Sequence, residues 1–163
     1  MSRDTVAIDL ETSLGYLLKE ASSALRTAME EVLRPLGMSV THYSCLELLA
    51  QRPGLSNSEL ARGAFVTRQT MNVLLQALER DGFVTRATEA PVGKALPTRL
   101  TPRGRRSLQK ATAAVRGVEL RMLAGMTDAE QTDALRSLKS MVRALRGGNE
   151  NGNENENDET PSP

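Results

Sequence analysis

The stretch Ser56-Asn-Ser-Glu-Leu-Ala-Arg-Gly-Ala-Phe-Val-Thr-Arg-Gln-Thr-Met-Asn-Val-Leu-Leu-Gln-Ala-Leu-Glu-Arg-Asp-Gly82 decides the fold. Ser56 with Glu59 three residues on forms a capping box, which satisfies two orphan N–H groups and opens a short helix. That helix fails at Gly63. Thr67 caps a second helix, with Val66 and Met71 spaced as a hydrophobic staple, and Asp81-Gly82 ends it. Two short helices across the turn Gly63-Ala64-Phe65-Val66 have the dimensions of a helix-turn-helix. In the second helix Met71, Leu74, Leu75 and Leu78 share an inward face. Arg68, Gln69, Thr70, Asn72, Val73 and Gln76 fall on the outer or flanking side.

That outer set is suited to base edges. Arg pairs bidentately with guanine and Asn or Gln with adenine, while an aliphatic or threonine methyl can meet the thymine methyl. The hydroxyls of Ser56, Ser58 and Thr67, beside helix N-termini, are candidates for phosphate contacts. Residues 52–110 carry eleven Lys and Arg against four Asp and Glu, a local charge of +7 in a chain of +1 overall. Such a concentration is the electrostatic footprint of a duplex reader.

Downstream, residues 83–86 and about 96–100 read as strands joined by a loop containing Gly93-Lys94, with Pro97 confining the second to an edge or a strand end. This hairpin has the form of a wing. Lys94 near its tip is placed to carry a cation into the minor groove, and Arg86 and Arg99 at its base are placed to clamp phosphates.

Four more helices flank this centre. Apolar residues from Ile8 to Leu33 recur at helical spacing up to Pro35-Leu36-Gly37. Thr41 is a cap for a helix ending at Pro53-Gly54. Thr101-Pro102 starts a helix running to about Gly125, and Thr127 to Glu130 forms a second capping box for a helix ending near Gly147. The expected fold is mainly α with a small two-stranded wing: a winged helix-turn-helix of six helices. The terminal helices carry apolar stripes that a reading head of this size does not cover, so burial against a second copy predicts a homodimer through the N- and C-terminal helices.

The expected organisation is a body over 1–146, with dimerisation segments 1–36 and 102–146 and a reading segment 41–101. The segment 147–163 has five Asn, four Glu and one Asp, and its charge of −5 leaves +6 on the residues before it. With no apolar side chain beyond two prolines, it reads as a disordered acidic tail.

Several functions are disfavoured. The chain has two Tyr, two Phe and no Trp, too few platforms for stacking single-stranded bases. One Cys and one His make a His/Cys metal site within one chain improbable and fit a reducing cytoplasm. No paired carboxylates, nucleophile–base set or phosphate-cradling Gly loop marks an enzyme. No signal peptide precedes the first helix, and no apolar run approaches the roughly 20 residues that span a bilayer. The rival class is a winged helix module that docks an acidic protein partner. The polar Arg68/Gln69/Asn72 face argues against it, because protein-docking helices more often show aromatic or aliphatic anchors.

The motifs Leu55-Ser-Asn-Ser-Glu-Leu-Ala-Arg, Phe65-Val-Thr-Arg-Gln-Thr-Met-Asn, Leu78-Glu-Arg-Asp-Gly-Phe-Val-Thr-Arg and Leu100-Thr-Pro-Arg-Gly resemble those of the MarR family of bacterial transcriptional regulators. The resemblance runs from the first helix to about residue 146. It implies a dimeric winged helix protein without cofactor or metal, usually a repressor of nearby genes, bound to a near-palindromic duplex site. Many such proteins release DNA when a small, often phenolic or aromatic, ligand binds. By that resemblance Arg68, Gln69, Thr70, Asn72, Val73 and Gln76 read the major groove and the wing enters the minor groove. The Asp-x-Arg pair found in many family wings is absent here. Val92-Gly93-Lys94 stands in its place, similar to the family's Gly-Arg-x-Leu-Pro wings. The resemblance also suggests an effector crevice between the dimer-forming helices and the reading head, with Tyr16, Met38, His42 and Tyr43 as candidates. Some relatives sense oxidants through one cysteine, typically in the first helix; Cys45 lies instead in the second, among leucines, where a buried inert thiol is the simpler expectation.

Overall fold

The structure, a computed structural model, describes residues 7–87 and 97–147. Among these residues the elements in order are α1 (Leu14–Leu33), a 3-10 turn η1 (Arg34–Leu36), α2 (Val40–Gln51), α3 (Asn57–Gly63), α4 (Arg68–Arg80), β1 (Val84–Arg86), β2 (Thr98–Leu100), α5 (Pro102–Leu123) and α6 (Asp128–Gly147). Six helices and one two-stranded antiparallel sheet make the molecule mainly α, as the sequence predicts. The wing tip with Lys94 and the segment 148–163 lie outside the described residues. The chain falls into two compact units divided after Arg121.

Two helix starts differ from the sequence reading. The first helix begins at Leu14, not near Ile8. Asp9 takes the preceding residues into a turn: its Oδ1 accepts from the Glu11 amide, its Oδ2 from the Thr12 hydroxyl, and its carbonyl from the Thr12 amide. Ser13 then caps α1 by accepting from the Tyr16 amide. Apolar spacing continues through Ile8 and Leu10, but a short Asx-type bond offers the backbone a local alternative to helix. The second helix is capped by Ser39, which accepts from the His42 amide at 3.1 Å, rather than by Thr41.

Three helical segments end in the same way. At each end a residue in the left-handed region lets two successive amides turn back onto the last carbonyls, the Schellman arrangement. Gly37 (φ +68°) closes η1 and Gly82 (φ +79°) closes α4. After α3 the position is filled by Phe65 at φ +58°, with its amide bonded to the Arg62 carbonyl and the Val66 amide to that of Ala61. Phe65 is the one non-glycine with positive φ among the described residues.

The core of the first unit is built where α1's end, α2, α3, α4, the sheet and α5 meet. Leu33, Leu46, Leu60, Met71 and Leu75 are fully buried there. Gly63 allows α3 to press on α2, since a Cβ would come within 2.8 Å of Leu48 Cδ1. Gly104 does the same at the start of α5, where a Cβ would fall 2.1 Å from the Phe83 carbonyl oxygen. Thr101 ties that corner together. Its hydroxyl donates to the carbonyls of Gly82 and Phe83 and accepts from the Gly104 amide at 3.0 Å. The strands pair Val84 with Leu100, Thr85 with Arg99 and Arg86 with Thr98. The free edge of β2 is held by residues 54 and 55, whose amide and carbonyl bond Thr98. Pro97 therefore sits at a strand end, where its missing N–H costs no ladder bond.

In the second unit, the Thr127 and Glu130 capping box is formed in both directions, at 2.7 and 3.2 Å, and opens α6. No residue of α6 is buried; Leu135, Leu138, Val142 and Leu145 are exposed. The N-terminal half of α1 is similar, with Leu14, Leu17 and Leu18 exposed.

Candidate nucleic-acid interface

The helix-turn-helix rests on its caps. Ser56 Oγ accepts from the Glu59 amide at 3.3 Å, and the Ser56 amide donates to Glu59 Oε2 at 2.8 Å. Thr67 Oγ1 accepts from the Thr70 amide at 3.1 Å, while its own proton is directed to Thr70 Oγ1 at 2.9 Å. The hydroxyl singled out on Thr67 as a phosphate contact is thus engaged in capping, and the hydroxyl proton left for such a contact is that of Thr70. Asn57 joins the two helices, its Nδ2 donating to the Arg68 carbonyl at 3.3 Å. Nothing in the sequence pattern points to this bridge, because it joins residues eleven apart.

With α4 so held, its two faces separate cleanly. Met71, Leu75 and Leu78 are buried and Leu74 is half-buried. Arg68, Gln69, Thr70, Asn72, Val73 and Gln76 are all exposed, Val73 at 62%. The structure brings the whole expected reading set onto one accessible side of a rigid helix. Ser56 and Ser58 lie half-buried about the start of α3.

The two arginines at the wing's base part company. Arg99 is exposed opposite Thr85. Arg86, expected with it as a phosphate clamp, is half-buried. Period-two alternation puts it on the same face as Val84, which is fully buried, and its Nε and Nη2 are buried without a hydrogen-bond partner among the described residues.

Cys45 is fully buried. Burial pushes its thiol up to about 12, and the Arg86 charge only partly opposes that. A thiol so protected has little thiolate to offer an oxidant.

The four ligand candidates do not form one site within the chain. Met38 is buried, and His42 and Tyr43 are half-buried at the start of α2. His42 packs edge-on to Phe83, with ring centroids 5.3 Å apart. Its Nε2 is buried without a partner among the described residues, and burial holds its pKa below the ordinary value against the opposing pull of Asp81. Burial raises the Tyr43 phenol, which lies beside Glu47 and Thr112. Tyr16 is exposed near the start of α1. It stands roughly 25 Å along the helix axis from Leu33, at about 1.5 Å per residue.

Part of the basic charge read from the sequence as one footprint lies on α5, outside the helix-turn-helix and the strands. Arg103, Arg106 and Lys110 project from α5, and the Arg103 guanidinium lies 4.9 Å from the Phe83 ring centroid. Their i, i+3, i+7 spacing was the signal for a separate face. Among the described residues no group of three His, Cys, Asp or Glu side chains could hold a metal ion, and no helix is long and apolar enough to cross a membrane.

Comparison with known proteins agrees with this geometry. The MarR family model matches residues 36–95. The HTH-type transcriptional repressor Rv2887 of Mycobacterium tuberculosis (strain H37Rv) is 41% identical over 131 residues, which are 80% of this chain and 94% of that protein. Its crystal structure in complex with DNA superposes with a TM-score of 0.65 at 39% identity, over 80% of this chain and 98% of that one. The same protein in complex with salicylic acid gives 0.67 at 42% identity, over 80% and 96%. A MarR family regulator from Silicibacter pomeroyi gives 0.77 at 27% identity, over 85% and 93%. With a 41% identical relative covered almost end to end, and the family's motifs folded into a capped helix-turn-helix and wing, the chain belongs to the MarR family.

Proposed function

We propose that the protein is a homodimeric, sequence-specific double-stranded-DNA-binding transcriptional repressor of the cytoplasm, released from its operator by a small aromatic or phenolic ligand. The observation that carries this reading is the outward face of α4. Arg68, Gln69, Asn72 and Gln76 supply bidentate donors and acceptors, Val73 and Thr70 supply methyl groups, and all six are exposed on a helix capped at both ends. That combination suits a major groove. Ser56, Ser58 and Arg99, with Lys94 on the wing, are assigned to backbone and minor-groove contacts, and the Thr70 hydroxyl stands in for the Thr67 hydroxyl that caps α4. The relatives support the same assignment, since one of them is named a repressor and has been crystallised with DNA and with salicylic acid.

Dimerisation follows from burial. The exposed leucines of α1 and α6 need a wall, and a second copy provides one by symmetry. Two reading helices related by a two-fold axis then address half-sites about one helical turn apart. No catalytic step is assigned to the protein.

The test is capture of bound fragments from the source genome, followed by binding to the recovered operator. A near-palindromic site bound by the wild type and no longer distinguished from random duplex by an Arg68/Gln69/Asn72 triple alanine variant is the expected result. A triple variant that still discriminates would overturn the reading. A promoter reporter relieved by salicylate would establish both the sign of regulation and the effector class.

A further inference from the structure

Leu36 of η1, Phe83 at the corner between α4 and β1, and Arg103, Arg106, Ser107 and Lys110 of α5 line an open cavity of about 450 Å³. Arg103, Arg106 and Lys110 are exposed, and no acidic side chain lines the cavity among the described residues. Asp81, at the end of α4, is paired with Arg80 at 3.5 Å. Arg103 is held in place. Its Cδ lies close to where a Cβ on Gly82 would stand, and its guanidinium sits 4.9 Å from the Phe83 centroid, while His42 packs the ring edge-on. A guanidinium stacked on an arene keeps its in-plane N–H fork free for an oxyanion.

Charge decides the class of ligand. Three positive side chains converge on one concavity with nothing on its lining to offset them. A single carboxylate would leave most of that repulsion in place. A phosphate monoester carries about −1.5 to −2 and three acceptor oxygens, which matches the three cations and the Ser107 hydroxyl. Leu36 and Phe83 form the apolar wall for an organic remainder.

We infer that this cavity binds the phosphate monoester of a small organic molecule, with the phosphoryl group held by Arg103, Arg106, Ser107 and Lys110 and the organic part laid against Leu36 and Phe83. It is not part of the reading surface. Arg68 opens α4 and Phe83 follows its end, about 20 Å away for a helix of 13 residues. The site adjoins the Gly82–Phe83 corner where α4 stops, which Arg103 and Thr101 hold. The binding itself does not rest on the DNA-binding reading.

The experiment is calorimetric titration of the full chain with phenyl phosphate, set beside inorganic phosphate and benzoate at equal ionic strength. Phenyl phosphate should bind at least about tenfold more tightly than either, the phosphoryl charge and the ring both contributing. An Arg106→Gln/Lys110→Gln variant, changed only at exposed positions, should lose about tenfold or more in phenyl phosphate affinity. Its circular dichroism, melting temperature and salt dependence of duplex binding should stay those of the wild type. No binding by the wild type, or equal binding by the double variant, would overturn the proposal while leaving the DNA-binding reading intact. Inorganic phosphate binding as tightly as phenyl phosphate would remove the organic subsite, and benzoate doing so would remove the phosphoryl assignment. A salt slope for duplex binding reduced by roughly four per dimer would hand the two cations to DNA phosphates instead. Failure of the α4 alanine variant to lose DNA discrimination would strike the DNA-binding reading alone, since phenyl phosphate binding is measured without DNA.

Discussion

Helices α4 and α6 carry the same kind of leucine stripe and meet opposite fates. In α4, Met71, Leu75 and Leu78 are buried against α3, the sheet and the rest of the reading head. In α6 nothing is buried, and Leu145 stands 78% exposed. Burying one such side chain is worth about 1.5–3 kcal/mol, so α4 is held by its own chain and α6 is left with an unmet demand of the same size. The contrast separates two kinds of stability in one molecule. One is complete in the monomer, and the other depends on protein concentration.

The comparison breaks most visibly if a charge is placed on each stripe. Leu75→Glu puts an unpaired carboxylate in the core, at a cost of roughly 3–5 kcal/mol, and should abolish the cooperative thermal transition of the reading head. Leu138→Glu should leave helicity largely intact but turn the dimer into a monomer in sedimentation. A Leu138→Glu dimer that binds DNA like the wild type would mean that the subunit interface lies elsewhere.

A smaller effect tests the other face of α4. Alanine at Arg68, Gln69 or Asn72 should each cost about 1–3 kcal/mol of specific binding where a bidentate base contact is lost. Because these side chains are exposed, the melting temperature should hardly move. A drop in stability comparable to the drop in affinity would show that they support the fold instead.

Smaller still is the turn that sets α4 on α3. Phe65 holds a left-handed conformation, 86% exposed, which costs roughly 1–2 kcal/mol for a residue with a Cβ. Glycine removes that strain but brings more chain entropy to be lost. Phe65→Gly should therefore stabilise by about 0.5–1 kcal/mol, seen as a rise of a few degrees in melting temperature. An unchanged or lower value would indicate that the Phe65 ring makes a stabilising contact in the assembled protein.

The least effect comes from His42. Its folded pKa is lowered, chiefly by burial, so the unfolded chain binds the proton more readily. Stability is at its full value above the unfolded pKa of about 6.5 and is lost as pH falls below it towards the folded value. His42→Gln should flatten that part of the pH–stability curve. A curve identical to the wild type between pH 7 and 5 would remove His42 as its source.

The elements that were legible in the sequence are those specified by short-range bonds. The Ser56–Glu59 box, the Thr67 cap and the Gly82 ending each involve neighbours within five residues, so their pattern is written locally. The exposed reading set on α4 followed because helical periodicity assigns faces once the cap is placed. The pattern misleads where two local signals compete. Ser39 and Thr41 can both cap, and Ile8 and Leu10 continue an apolar rhythm that the Asp9 turn interrupts. Where the residue type misleads, the pattern fails altogether. A phenylalanine does not announce a left-handed turn, and an arginine in a basic hairpin does not announce an inward-facing register.

The helix-turn-helix, its caps, the chemistry of its outer face and the surplus of apolar stripes all follow from the order of residues. Helical period, capping and charge are properties of residues a few positions apart. It took the packing of distant elements to shield Nε and Nη2 of Arg86, to bridge Asn57 to Arg68, and to gather three cations of α5 with Phe83 and η1 around one cavity. Those outcomes depend on strand register and on the approach of elements far apart in the chain, which local periodicity does not encode.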